Sequence, residues 1–185
     1  MKVYYYKLPV LKMSAACVEL VDDNGNPCGR MTRTFKHLPS KAICWIIDSW
    51  ELSFRAEAEQ YTIELIDRSR WFERNKWSIS FKEGDEEQRF TLKDRTMIRT
   101  NPRFEFTYNG QPYEVVQAFL DKRTRIINLA QNKVSAEMER HSIGRVFQRK
   151  IRMYEEELSP LLAACIDRLI RTLTDCCNIN FSGKE

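Results

Sequence analysis

The sequence predicts a mostly β fold: a closed antiparallel barrel of about twelve strands around a central, apolar C-terminal α-helix. Two observations carry this. Short alternating segments separated by turn residues follow one another from Val3 to Met153, the pattern of sandwiches and barrels. One helix-type segment then follows, Leu158 to Thr174, and its first half is apolar nearly all round, as in a helix enclosed by protein. Closing the sheet removes its edges. The helix fills a lumen too wide for strand side chains alone.

The strand candidates begin with Val3–Lys7. Ala16–Val21 and Arg30–Phe35 flank Asp22-Asp-Asn-Gly-Asn-Pro27, a turn whose Gly25 supplies positive φ. Ala42–Ile47 and Glu51–Ala56 come next. In Tyr61–Ile66, Tyr61, Ile63 and Leu65 alternate with Thr62, Glu64 and Ile66. Trp77–Phe81 and Gln88–Leu92 surround a polar turn at Lys82–Glu87. Met97–Arg99 and Phe104–Tyr108 lead to Asn109-Gly110, the strongest short hairpin signal in the chain. Tyr113–Phe119, Arg125–Leu129, Val134–Met138 and Val146–Met153 complete the series.

The helix starts at Ser159-Pro160, where a hydroxyl accepts a free backbone N–H and the proline ring suits the first helical position. Leu158, Leu161, Leu162, Cys165, Ile166, Leu169 and Leu173 mark a face at i, i+3, i+4 spacing, and Ala163 and Ala164 widen it. The segment is too short to span a bilayer, which takes about 20 apolar residues. No linker interrupts the chain. Residues 1–175 read as one domain with its core helix at 159–175, followed by a polar tail at 176–185.

Composition bounds the function. The 185 residues are 43% hydrophobic, and 30 basic residues nearly balance 26 acidic ones; a dedicated nucleic-acid binder carries a stronger basic excess, so nucleic acid is disfavoured as a partner. The six cysteines form no CxxC pair, and His37 and His141 are the only histidines. The N-terminus lacks the apolar stretch of a signal peptide. Reduced cysteines and a cytoplasmic location are therefore expected, with Cys17, Cys44 and Cys165 packing as small hydrophobes.

The residues Glu157-Leu-Ser-Pro-Leu-Leu-Ala-Ala-Cys-Ile-Asp-Arg-Leu169, preceded by Val134-Ser-Ala-Glu-Met138 and Gly144-Arg-Val146, resemble the tubby C-terminal-like superfamily. The resemblance is in particular to its branch of plant LURP-one-related proteins and bacterial relatives; the phospholipid scramblases belong to the same superfamily. Asp22-Asp-Asn-Gly25 looks like an early hairpin of the family, and the resemblance runs from about Val3 to Leu173. It implies a twelve-stranded barrel around a central helix. Tubby binds phosphoinositides through basic residues on the barrel wall; scramblases carry an acidic calcium-binding segment and a cysteine-rich acylated segment, neither of which this chain shows. No lipid-binding residue of the family matches a position here, so none is carried over.

Chemistry-bearing residues are few. His37, His141, Asp48, Asp67, Asp167 and the cysteines occur without a GxSxG elbow, an HExxH or a phosphate loop. Asp167 lies on the enclosed helix, where a buried charge needs a partner. Arg171 at i+4 is placed to supply one. The favoured expectation is instead that the helix emerges at the barrel mouth and leaves Asp167 solvated or capping a strand. Basic residues cluster at Arg68/Arg70/Arg74/Lys76, Lys93/Arg95/Arg99/Arg103, Lys122/Arg123/Arg125 and Arg145/Arg149/Lys150/Arg152, interleaved with Trp71, Phe72, Phe104 and Phe147. Such runs suit phosphate-bearing ligands; the competing reading is a charged exterior neutralised by Glu64, Glu73, Glu105, Glu137 and Glu139. An even pleat through Val146–Met153 turns Arg145 and Arg149 inward, which calls for a bulge or an acidic partner.

These readings lead to a non-enzymatic binding or regulatory module for phosphoinositides or an anionic membrane surface, peripheral to the membrane. Arg145, Arg149, Lys150 and Arg152 are the candidate headgroup ligands. The alternative is a structural protein–protein module without lipid affinity, with an acidic protein as partner. Third comes an enzyme with an unfamiliar site at the barrel mouth. No cofactor or metal is expected. Cys176 and Cys177, near the terminus, are possible acylation positions in chemical terms but more often inert.

Overall fold

A computed structural model describes residues 1–9, 14–35, 52–69, 73–98, 101–117, 121, 123–143 and 146–178; the side chains of 142, 143, 146, 147 and 175–178 lie outside the description. Twelve strands precede one helix: β1 (Lys2–Tyr6), β2 (Val18–Asp22), β3 (Pro27–Thr34), β4 (Ser53–Glu57), β5 (Tyr61–Asp67), β6 (Lys76–Glu83), β7 (Glu86–Asp94), β8 (Arg103–Tyr108), β9 (Gln111–Gln117), β10 (Thr124–Asn128), β11 (Lys133–Ile143), β12 (Val146–Met153) and α1 (Pro160–Asn178). Each strand pairs antiparallel with the next, and β1 closes the barrel on β12, with Tyr6 opposite Arg149 and Lys2 opposite Met153.

The two ends of the barrel differ. One carries tight turns at 23–26, 58–60, 84–85, 109–110 and 129–132, each explained by its own residues. Asp22 accepts hydrogen bonds from the backbone N–H groups of Asn24 (2.9 Å) and Asn26 (2.7 Å), and Gly25 takes φ +85°, as an Asx turn requires. Asn109 and Gly110 both have positive φ, 50° and 73°, the geometry of a two-residue hairpin loop. The other end carries the connections 7–17, 35–52, 68–75, 95–102 and 118–123, together with the short 144–145.

Alternation along the strands sends Ile63 and Leu65, Trp77, Ile79 and Phe81, and Phe104, Phe106 and Tyr108 into the lumen. There they surround α1, whose ten residues from Leu161 to Ile170 are all buried. Ser159 caps the helix, accepting the Leu162 N–H at 3.3 Å, and its hydroxyl donates to Tyr61. Gly29 allows β3 to lie against the helix: a Cβ there would stand 3.0 Å from Leu161 Cδ2 and 3.0 Å from the Glu57 carbonyl oxygen.

Three expectations need correction. Met97–Arg99 is not a strand: Met97 and Ile98 form an exposed bend, held by the Thr96 N–H to Asp94 (2.8 Å) and the Asn101 N–H to the Ile98 carbonyl (2.9 Å). Cys17 is exposed rather than packed, because it precedes β2 instead of facing the lumen. The helix continues through Asn178, beyond the expected 175. Ala42–Ile47, with Cys44, lies outside the described residues.

Candidate functional site

Because α1 fills the lumen, polar chemistry is confined to what its buried face meets and to the barrel exterior. Asp167 is fully buried on α1. It accepts the Tyr6 hydroxyl at 2.6 Å and is held bidentate by Arg149, Nε at 2.7 Å and Nη2 at 2.8 Å. Tyr6 on β1 and Arg149 on β12 are register partners across the closing seam, so one carboxylate ties the helix to both strands that complete the barrel. Arg171, one turn along, stands 3.9 Å from the same carboxylate. Burial opposes ionisation of Asp167, but Arg149, Arg171 and the Tyr6 hydroxyl outweigh it and hold the carboxyl below its ordinary range. Burial and the neighbouring carboxylate push the Tyr6 phenol well above its usual value. The expectation of a solvated Asp167 is therefore overturned; the expectation that inward Arg149 finds an acid is met by this residue.

Next to this pair, buried Arg168 donates to the Met31 carbonyl oxygen at 3.2 Å and lies over the Phe54 ring, 5.1 Å from its centroid. Burial, with Arg33 nearby, draws its pKa down. Sequence reading did not single out Tyr6 or Arg33, and it noted Arg168 only as a cation near Asp167. Tyr6 is one of three consecutive tyrosines, and only the register of β1 selects it.

Arg145, Arg149, Lys150 and Arg152 do not form one face. Arg149 points into the barrel and is committed to Asp167, so it cannot share an exterior surface with the others. Lys150 and Arg152 point outward. Arg152 is bound by Glu137 (3.0 Å) and Glu139, in a network that also ties Arg123 and Arg125 to Asp121 and Glu137. Arg145 lies outside the described residues. Beside Lys150, its register partner Tyr5 stands 5.8 Å, ring to ring, from His141.

Elsewhere, neighbouring carboxylates also neutralise much of the basic exterior. Lys76 pairs with Glu73, Arg95 with Glu105, and Arg103 with Glu114. Arg68, Arg74 and Lys93 are exposed and make no ion pair among the described residues. All three sit at the long-connection end. The connection carrying Arg68 and Arg74 adjoins the end of β7, where Lys93 lies: Asp94 N–H donates to the Asn75 carbonyl oxygen at 2.9 Å, and the Asn75 amide reaches Asp94 at 3.3 Å. Over β3–β5 the exterior forms open grooves of about 490 and 500 Å³, in which Glu57 is paired with Arg30 and Arg55, Glu64 with Arg55 and Glu87 with Arg89.

The chemistry-bearing residues are scattered. Burial pushes the Cys165 thiol up to about 12, which removes it as a nucleophile near neutral pH. Asp67 accepts the backbone N–H groups of Leu52 and Ser69 at 3.1 and 2.8 Å, a bracing role at the head of β4. His37 and Asp48 lie outside the described residues. Among the described residues no group of three or more His, Cys, Asp and Glu is placed to hold a metal, and no helix is long and apolar enough to cross a membrane.

Comparison with curated proteins and with solved structures returned no match. A family model, the Tubby C-terminal like domain, matches residues 4–172, from within β1 into α1. With that match over a closed twelve-stranded barrel and its central helix, the chain belongs to the Tubby C-terminal-like domain family.

Proposed function

We propose that this protein is a non-catalytic binding module whose ligand is an anionic membrane surface, phosphoinositides included. One observation carries the reading: the lumen is filled, so ligands must meet the exterior, and there Arg68, Arg74 and Lys93 are exposed and have no carboxylate partner among the described residues, all at one end of the barrel. Lys7, also exposed, lies at the same end. Each such cation near an anionic surface is worth about 1 kcal/mol at low salt and is screened over roughly a Debye length. Lys150 on the β12 wall is the remaining member of the Arg145–Arg152 cluster that faces out without an ion pair among the described residues; Arg152 is already held by two glutamates.

Flotation of the protein with neutral and anionic liposomes tests the proposal. Binding to vesicles of phosphatidylcholine with phosphatidylserine at low salt, and none to phosphatidylcholine alone, is the expected result. Replacing Arg68 and Arg74 by alanine should weaken that binding by about tenfold or more with the melting temperature almost unchanged. Absence of binding to anionic vesicles at low salt ends the lipid reading.

A further inference from the structure

Met97 is 89% exposed and Ile98 65% exposed, side by side in the bend between β7 and β8. Among the described residues the other exposed large apolar side chains are Met1, Leu129 and Tyr154, of which Met1 and Tyr154 adjoin the register pair Lys2–Met153 at the tight-turn end. The pair at 97–98 differs in its setting. Its loop is braced at the base: Arg95 N–H donates to the Arg103 carbonyl oxygen at 2.8 Å, and Arg103 N–H to the Thr96 hydroxyl at 3.0 Å. These bonds extend the β7–β8 ladder beyond the strands and hold the tip away from the core. Met97 and Ile98 make no contribution to the core cluster. At the same end of the barrel are the exposed cations Lys93, near the end of β7, and Arg74, whose neighbour Asn75 is bonded to Asp94. Arg68 follows β5 at this end too, its N–H bonded to the Lys76 carbonyl oxygen at 2.9 Å across the base of the β5–β6 connection.

We propose that the β7–β8 tip inserts Met97 and Ile98 into the interfacial layer of an anionic bilayer while Arg68, Arg74 and Lys93 contact its phosphates. The inference rests on the anionic-membrane reading above and adds the depth and orientation of docking: the long-connection end of the barrel faces the membrane. The chemistry is complementary in both parts. An apolar pair exposed to water gains by entering the acyl boundary, and exposed cations gain from a negative surface. Salt separates the two contributions, since screening weakens the charged part and leaves the apolar part intact.

The test is sedimentation of the full chain with phosphatidylcholine vesicles containing phosphatidylserine, at low and at high salt. The wild-type protein should bind at low salt and keep a measurable fraction at high salt. Met97→Ser/Ile98→Ser should bind at least about tenfold more weakly and lose the salt-resistant fraction, with an unchanged melting temperature. Ile98→Trp should retain binding and show more quenching by brominated lipid than the wild-type protein. Equal binding by the wild-type and serine proteins, or an Ile98→Trp protein that binds without added quenching, overturns insertion and leaves surface recognition standing. No binding of the wild-type protein to these vesicles overturns both. Should the serine protein fail to fold, the quenching of Ile98→Trp decides.

Discussion

Asp167 gathers one donor from each side of the barrel seam, which makes it the residue on which the closed form most depends. Removing one partner from a buried ion pair leaves the other charge stranded, and costs about 3–5 kcal/mol. Asp167→Asn should therefore lower stability by an amount in that range, read by chemical denaturation. Replacing both Asp167 and Arg149 by apolar residues should cost less than either single change, because no charge is then left alone. The pH dependence has a definite sign. The carboxyl is held below its ordinary value, so its contribution is complete above the unfolded value of about 4. It is lost as pH falls through the lower folded value. The melting-temperature gap between wild type and Asp167→Asn should be constant near neutrality and narrow in acid below about pH 4. A gap that narrowed on the alkaline side would mean that another group carries the effect. Both halves of this pair left a trace in the sequence: the pleat of Val146–Met153 turned Arg149 inward, and the apolar helix enclosed Asp167. What joins them is the position of the helix inside the barrel, and neither local pattern contains that.

Elements were more legible than residues. The hairpins at Asp22–Pro27 and Asn109-Gly110 follow from turn chemistry that acts over a few residues, and α1 follows from a cap and an uninterrupted apolar face. Met97–Arg99 misleads for the same reason: two adjacent apolar residues look like a strand, while the bonds that make them a bend come from Asp94 and Asn101. The exterior basic runs were visible too, but neutralisation depends on which glutamate lies on the adjacent strand, as Glu114 does for Arg103. The helix–wall contact at Gly29 was invisible, since nothing in Pro-Cys-Gly-Arg-Met shows what lies over it. It yields a prediction at this scale. Gly29→Val would place its side chain against Leu161 and the Glu57 carbonyl oxygen, and overpacking of this kind costs about 1–3 kcal/mol. The same change at Gly25, where a Cβ meets nothing within 4 Å, would act only through its positive φ. Comparing the two by thermal melting, with Gly29→Val partly rescued by Leu161→Ala, identifies the helix as the clashing surface. Failure of the smaller residue 161 to restore stability would assign the cost to the Glu57 backbone or to the φ of +159° at residue 29.

At the scale of the molecule, strand order and helix position support one another. The seam joins β1 to β12, which are farther apart in the chain than any other paired strands, so ordering them carries a large loop-closure cost. The lumen side chains of the strands face α1 rather than one another across most of the barrel. Without the helix, Leu20, Ile63, Ile79, Val115 and Met138, all fully buried, would border a cavity, and Tyr6 and Arg149 would lose the carboxylate that bridges them. Neither loss has a local remedy, because a barrel of this circumference cannot contract onto its own side chains without changing strand number or stagger. A chain ending before Leu158 should accordingly give no cooperative thermal transition, and its near-ultraviolet dichroism should lack the signal of fixed aromatic packing. A shorter truncation, ending after Thr174, keeps the buried residues Leu161 to Ile170 and the Asp167 contacts, and should melt cooperatively. If the chain without α1 also melted cooperatively, the strands would form a barrel on their own, and the helix would be an occupant of the lumen rather than the core around which closure takes place.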